Sequence, residues 1–194
     1  MIVYHGSNSN FNKLRISKEL VHWEKEHLDE DGIKFRYLPS GYTEDIGIYF
    51  TSNKELAKQY GKYIYTLEIN DNYVKDLRGR TACRLFLSKM AQEIYKKIDV
   101  DILEYINLEQ LAERMYFYTT CISTIYTDIE IILNNNKYFN ELAVSKRDRV
   151  NQMIRAYCKR EIIVILFNSA VNGQGIIKKV NDDIVRIINK EQWC

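Results

Sequence analysis

A few short stretches have residue types and spacings that could do chemistry. Tyr4-His5-Gly6-Ser7 closes an apolar run with an imidazole, a glycine and a hydroxyl. Gly47-Ile48-Tyr49-Phe50 presents a tyrosine behind a glycine, and Tyr60 follows it by eleven residues at the end of a short helical pattern. Later, Asn181-Asp182-Asp183-Ile184-Val185 places two carboxylates ahead of a β-rich run, and Gln174 lies in the turn-forming stretch Asn172-Gly173-Gln174-Gly175. A strand ending in His-Gly lets its backbone approach a flat ligand closely, because glycine carries no Cβ. Aromatic faces accept a flat or cationic ring, and a carboxylate stabilises positive charge developing on a sugar. Taken singly, His5 reads as a turn cap, Tyr49 as a core aromatic, Tyr60 as a packing residue and Asp182-Asp183 as a solvated turn. As an ordered set they read as a site.

Other signatures are missing from the sequence. There is no Gly-x-Gly-x-x-Gly after a strand, no phosphate loop of the Walker type, no Gly-x-Ser-x-Gly and no Cys-x-x-Cys. His22 and His27 stand five apart on an expected helix, which misses the i, i+4 spacing of a zinc pair. No metal site is expected.

The elements that must position these residues follow from the pattern. Ile2 to Tyr4 is an expected strand, and Gly6-Ser7-Asn8-Ser9-Asn10 an expected loop. About Ile16 to His27 reads as an amphipathic piece carrying Leu20, Val21 and Trp23, followed by a polar connection through Gly32 and Pro39-Ser40-Gly41 to Asp45. Gly47 to Thr51 reads as a strand. Ser52-Asn53-Lys54-Glu55 then has the capping-box form, starting a helix through Leu56, Ala57 and Tyr60 that Gly61 ends in a left-handed conformation. Tyr63 to Ile69 is rich in β-formers, and Asn70-Asp71-Asn72 ends it in a turn.

From about Ala82 to Tyr157 the periodicity is helical. Leu108, Leu111, Ala112, Met115, Tyr118, Ile122, Ile125, Ile129, Ile132 and Leu133 form one apolar stripe, which Asn134-Asn135-Asn136 breaks. A further helix from about Phe139 to Cys158 carries the basic run Lys146, Arg147, Arg149, read as a solvated face. Strand character returns at Ile162 to Phe167, Ile176-Ile177 and Asp183 to Ile188. The expected fold is α+β, one domain over residues 1–194, with β elements from both ends in one sheet and a helical block inserted at about 82–160.

Bulk properties narrow the function classes. A hydrophobic content of 46%, a charged content of 28% and a mean hydropathy of -0.37 are those of a globular chain. The net charge of +2 supplies no global field toward nucleic acid or membrane. Met1-Ile2-Val3-Tyr4-His5 reads as a strand, not a signal peptide, and no stretch has the length of a membrane span. Cys83, Cys121, Cys158 and Cys194 are widely spaced, which reads as reduced thiols in a cytoplasmic protein.

The ordered motifs resemble the ADP-ribosyltransferase fold of the diphtheria-toxin and poly(ADP-ribose) polymerase type, known by a His–Tyr–Glu set on three strands. Tyr4-His5-Gly6-Ser7 is similar to its first strand, Gly47-Ile48-Tyr49-Phe50 to its second, and Tyr60 to its helix tyrosine. The resemblance covers roughly residues 1–70 and 160–190 and does not account for the helical block. It implies a split-sheet core and NAD as co-substrate. In its terms the Gly6 N–H and C=O grip the nicotinamide carboxamide, Ser7 helps hold that amide and His5 bonds the adenosine ribose. Tyr49 and Tyr60 sandwich the nicotinamide ring. The third catalytic position, a glutamate in the family and sometimes glutamine or aspartate, aligns best with Asp183; Asp182 and Gln174 are the other candidates. The implied activity is mono-ADP-ribosyl transfer to a macromolecule, protein sooner than nucleic acid, in the manner of a small toxin, effector or phage-encoded modifier. An NAD glycohydrolase and a non-catalytic binding module are the rival readings.

Overall fold

The computed structural model describes residues 1–16, 25–28, 34–37, 47–117, 125–168 and 173–193. Among them it is a mixed α+β chain built on a seven-stranded sheet. The first half contributes β1 (Ile2–Ser7), β4 (Ile48–Thr51), α1 (Lys54–Lys58), β5 (Tyr63–Ile69) and β6 (Val74–Asp76). A separate antiparallel pair, β2 (Lys25–Leu28) and β3 (Lys34–Tyr37), lies between β1 and β4 in the chain. Five helices follow: α2 (Arg80–Ile98), α3 (Leu108–Phe117), α4 (Ile125–Asn135), α5 (Lys137–Asn140) and α6 (Val144–Glu161). The chain then returns to the sheet as β7 (Val164–Leu166), β8 (Gln174–Ile177) and β9 (Val185–Gln192), giving the order β6-β7-β8-β4-β1-β5-β9.

Every neighbouring pair is antiparallel except β6 and β7, which run parallel. A parallel neighbour cannot be reached by a tight turn and needs a crossover of a dozen or more residues. The helical block is that crossover. Charged side chains tie it to the sheet edge: Lys75 on β6 pairs with Glu161 (2.9 Å), Arg160 bridges Glu161 (3.0 Å) and Glu93 on α2 (2.6 Å), and Lys97 also reaches Glu93 (2.9 Å). The Arg160 guanidinium, with help from Lys97, holds the Glu93 carboxyl down at about 2.

Strand alternation divides the buried residues between two faces. Val3, Ile48, Phe50, Tyr65, Leu67, Val164, Leu166 and Ile177 form one cluster, with Leu14 laid over it. Ile165, Phe167 and Ile176 project to the other face and join the helical core, which includes Phe86, Met90, Ile94, Ile129, Leu133, Phe139 and Ile154. Cys83 and Cys158 are free, buried thiols whose pKa burial pushes up to about 11 and about 12, so they are unreactive packing residues.

Local chemistry revises several expectations. Lys25–Leu28 is strand, paired through Glu26↔Arg36 and His27↔Phe35, so the amphipathic helix does not extend to His27; His22 lies outside the described residues. The N-cap of α1 is Asn53, whose Oδ1 accepts from the N–H groups of Glu55 (2.9 Å) and Leu56 (3.2 Å). The Ser52 N–H donates to Gly173 O (2.8 Å) and so is not open to Glu55, which pairs with Lys58 instead of reaching back. The expected helix from Phe139 is two helices, the first capped by Asn136 through the N–H groups of Tyr138 and Phe139. The Asn172-Gly173-Gln174-Gly175 stretch holds a left-handed Gly173 (φ 83°), but Gln174 and Gly175 already belong to β8.

Gly61 is not in the left-handed region, so its expected role as a helix stop does not hold. A Cβ there would lie 2.1 Å from the carbonyl carbon of Ser7 and 2.5 Å from Asn8 N, so glycine is required by close approach of two backbones. A left-handed cap tolerates asparagine; a backbone contact tolerates no side chain. Gly61→Ala and Gly61→Asn are both expected to destabilise the fold, by roughly 1–3 kcal/mol or more as overpacking does, measured by urea denaturation. A neutral Gly61→Asn would contradict this.

Candidate active site

The geometry at β1 turns on which way its peptide groups point. Met1 and Ile69 exchange two backbone hydrogen bonds (Ile69 N to Met1 O, 2.8 Å; the Met1 ammonium to Ile69 O, 2.7 Å). The β1–β5 register then runs unbroken to Ser7↔Tyr63. Hydrogen-bonded and non-hydrogen-bonded pairs alternate along an antiparallel ladder, so Val3, His5 and Ser7 bond toward β5 while Tyr4 and Gly6 turn their N–H and C=O toward β4. There the ladder is short: β1 and β4 pair at Tyr4↔Thr51 and no further. Gly6 thus presents its peptide groups to the side on which pairing has stopped.

His5 takes over one of the β4 groups left there. Its Nδ1 lies 2.7 Å from the main-chain carbonyl of Tyr49. A carbonyl only accepts, so Nδ1 carries the proton and Nε2 of the neutral ring is left as an acceptor. The ring packs 6.2 Å from both Phe11 and Tyr65, which stack on one another at 3.9 Å. Burial lowers the His5 pKa below 6.5, offset in part by the bond to Tyr49. The imidazole is therefore neutral at pH 7.

Tyr49 projects the opposite way. Its neighbour Phe50 belongs to the Val3 cluster, whereas Tyr49 packs against the helical core and pairs across with Ile176. On that same helical side Gly6 is covered by α1: a Cβ on it would lie 2.0 Å from Ala57 O and 3.0 Å from Tyr60 Cβ. Tyr60 is 60% exposed just past α1. The structure brings Gly6, Tyr49 and Tyr60 to one face, and His5 and Ser7, by alternation, to the other. Ser7 Oγ accepts from Ser9 N–H (3.1 Å), shaping the loop after β1.

The candidates for the third position separate clearly. Asp182 and Asp183 are exposed in the turn before β9, and the Asp183 carbonyl accepts from Asn70 Nδ2 (3.1 Å). β9 begins opposite Ile69, the row of Met1, while the row of Gly6 is Ile64 and Glu191. Asp183 therefore lies more than five strand residues from Gly6, over about 16 Å along the sheet. The late strand that Asp183 precedes pairs with the far edge of β5. Gln174 fits better. It opens β8, pairs with Thr51, and shares the face of Tyr49 and Ile176. Glu191, which the sequence offered no reason to select, pairs with Ile64 in the Gly6 row and is held by Lys54 at the start of α1 (2.7 Å to each oxygen).

Comparison with family profiles, with curated proteins and with solved structures finds no match. Among the described residues no cluster of His, Cys, Asp or Glu could hold a metal ion, and no helix is long and apolar enough to cross a membrane. An open depression lined by Asp76, Arg78, Gly79, Thr81, Ala82 and Leu85 lies at the start of α2, apart from these groups.

The arrangement offers a peptide edge with Tyr49 and Tyr60 on one face and an imidazole acceptor on the reverse face. Its electrostatics give a pH signature. Because the folded pKa of His5 is below 6.5, the neutral ring stabilises the fold fully above pH 6.5, and that contribution is lost as pH falls through the lower folded value. His5→Asn keeps a donor for the Tyr49 carbonyl without the titration. Urea midpoints measured from about pH 7.5 down to about pH 5 are expected to fall more steeply for the wild type than for this variant. Equal slopes would show that His5 is not the group responsible.

Proposed function

We propose that this chain is an ADP-ribosyltransferase that uses NAD as co-substrate. The observation that carries the reading is the β1–β4 ladder that stops at Tyr4↔Thr51, leaving the Gly6 peptide groups, which face the β4 side near Tyr49, outside the strand pairing. In this reading the nicotinamide carboxamide donates to Gly6 C=O and accepts from Gly6 N–H, and its ring lies between Tyr49 and Tyr60. A pyridinium cation gains from two π faces. The resemblance gives His5 the adenosine ribose, a hydroxyl of which donates to His5 Nε2. The two reduced, buried thiols support a cytoplasmic setting.

Cleavage breaks the bond between ribose C1′ and the nicotinamide nitrogen, and nicotinamide leaves neutral with the electron pair. The acceptor nucleophile forms the new bond to C1′ and releases its proton. Gln174 takes the third position, its amide oxygen accepting a hydrogen bond from a hydroxyl of the nicotinamide ribose. A neutral amide orients the sugar but stabilises an oxocarbenium-like centre less than a carboxylate does, so transfer of a single ADP-ribose fits better than chain elongation. That same neutrality favours, as the second reading, a module that binds NAD without turning it over.

Nicotinamide release from NAD separates the two. His5→Ala and Tyr49→Ala are each expected to lower kcat/KM by roughly tenfold or more, as loss of a hydrogen bond or a cation–π contact does. Gln174→Glu is expected to raise kcat, since charge-assisted hydrogen bonds are about twice as strong as neutral ones, while Asp183→Ala leaves it unchanged. A wild-type protein that binds NAD without releasing nicotinamide identifies the binding module. Full turnover by the His5 and Tyr49 variants would overturn the site.

A further inference from the structure

β9 is the last strand of the sheet, and among the described residues no strand pairs with its outer edge. It runs from Val185 to Gln192, most of it exposed, and holds no proline that would block a neighbour. An edge of this length is a template for another strand. Its register says which strand fits. At one end the Ile184 carbonyl accepts from Asn70 N–H (2.9 Å); at the other, Trp193 N–H donates to the Lys62 carbonyl (2.8 Å). Both ends turn toward β5, although regular alternation over that separation would turn them opposite ways. The bulge facing Thr66 and Leu67 reconciles them by one extra residue. Val185 and Ile187 before it, and Lys190 and Gln192 after it, therefore turn their peptide groups outward. The same bulge brings Arg186 and Glu191 to one face. Arg186 lies across from Glu68 and pairs with it, Glu191 lies across from Ile64, and Glu68 and Ile64 share a face of β5. In an unbroken strand Arg186 and Glu191 would point to opposite faces.

We propose that this edge pairs with the same edge of a second copy of the chain, antiparallel about a two-fold axis. Val185 then meets Gln192 and Ile187 meets Lys190, so the outward groups of each copy face those of the other. Four such pairs supply about eight hydrogen bonds between the copies, close to the number an ordinary interface carries. Between them Arg186 of each copy stands beside Glu191 of the other, in a pair not joined by backbone bonds, where side chains lie closest. Arg186 is already held against Glu68, and Glu191 against Lys54. The axis thus generates two rows of alternating charge, running Glu68, Arg186, Glu191 of the second copy, Lys54 of the second copy. Only a strand that repeats this bulge and charge order completes both rows, which selects a second copy over a foreign peptide. Such a self-complementary interface closes at two chains. The proposal is independent of the transfer reading.

The test is sedimentation velocity of the full chain at about 100 µM, above the micromolar upper end for standard interfaces. The wild type is expected at twice 23.1 kDa. Arg186→Glu and Glu191→Arg, each alone, set like charges opposite one another and should weaken the dimer by about tenfold or more. Mixed together they should restore it, because each chain then carries the charge its partner needs. That rescue cannot come from repair within either chain. Gln192→Pro removes one outward N–H and leaves the β5 pairing intact; it is expected to be monomeric with an unchanged circular dichroism spectrum. A monomeric wild type, an open-ended assembly, or a dimer that survives these substitutions overturns the proposal. So does a mixture of the two charge variants that stays monomeric while both remain folded.

Discussion

The structure depends on one interrupted ladder. β1 is an interior strand, paired through six residues with β5, yet it meets β4 at the single pair Tyr4↔Thr51. Had pairing continued, the Gly6 peptide groups would be spent on Tyr49 and the sheet would close. Instead the Tyr49 carbonyl is taken by the His5 imidazole. A buried carbonyl without a partner costs about as much as a lost hydrogen bond, so His5 lets the strand pairing stop without leaving that group orphaned. The neutrality of the ring belongs to the same arrangement: it is desolvated, and it bonds through the nitrogen that must carry the proton.

The remaining elements keep the opening in shape. α1 lies so close over Gly6 that any side chain there would strike Ala57, and Gly61 brings the chain back against Ser7 just as tightly for a side chain to be excluded. Asn53 starts this short helix and the Lys54–Glu191 pair anchors it to β9. On the other flank the helical block supplies a wall, because Tyr49 and Ile176 pack into its core. The block is thus more than an insertion. It is the crossover that parallel β6 and β7 require, and it backs one of the aromatic rings of the proposed site.

Much of this was legible in the residues. His5-Gly6, Tyr49 and Tyr60 stand out because glycine and aromatic residues at strand and helix ends carry their reason locally, and the strands at Gly47–Thr51 and Tyr63–Ile69 have clear β composition. The misses share a cause: each was decided by a partner distant in sequence. Ser52 looked like a helix cap until Gly173 took its N–H. Lys25–Leu28 pairs with β3, and the three residues of β6 are too few to show a period. Asp183 precedes one late strand and Gln174 opens another, and strand order alone says that β8 lies beside Tyr49 while β9 lies beyond β5. Glu191 faces the Gly6 row because of a register shift between Thr66 and Leu67, which no alternation pattern reveals.

The most direct measurement is a structure of the protein with nicotinamide or NAD bound. The expected result is a nicotinamide ring between Tyr49 and Tyr60, its carboxamide hydrogen-bonded to both the N–H and the C=O of Gly6, with an adenosine ribose hydroxyl on His5 Nε2 in the NAD complex. A ligand seated elsewhere, or a β1–β4 ladder that closes over Gly6, would contradict it.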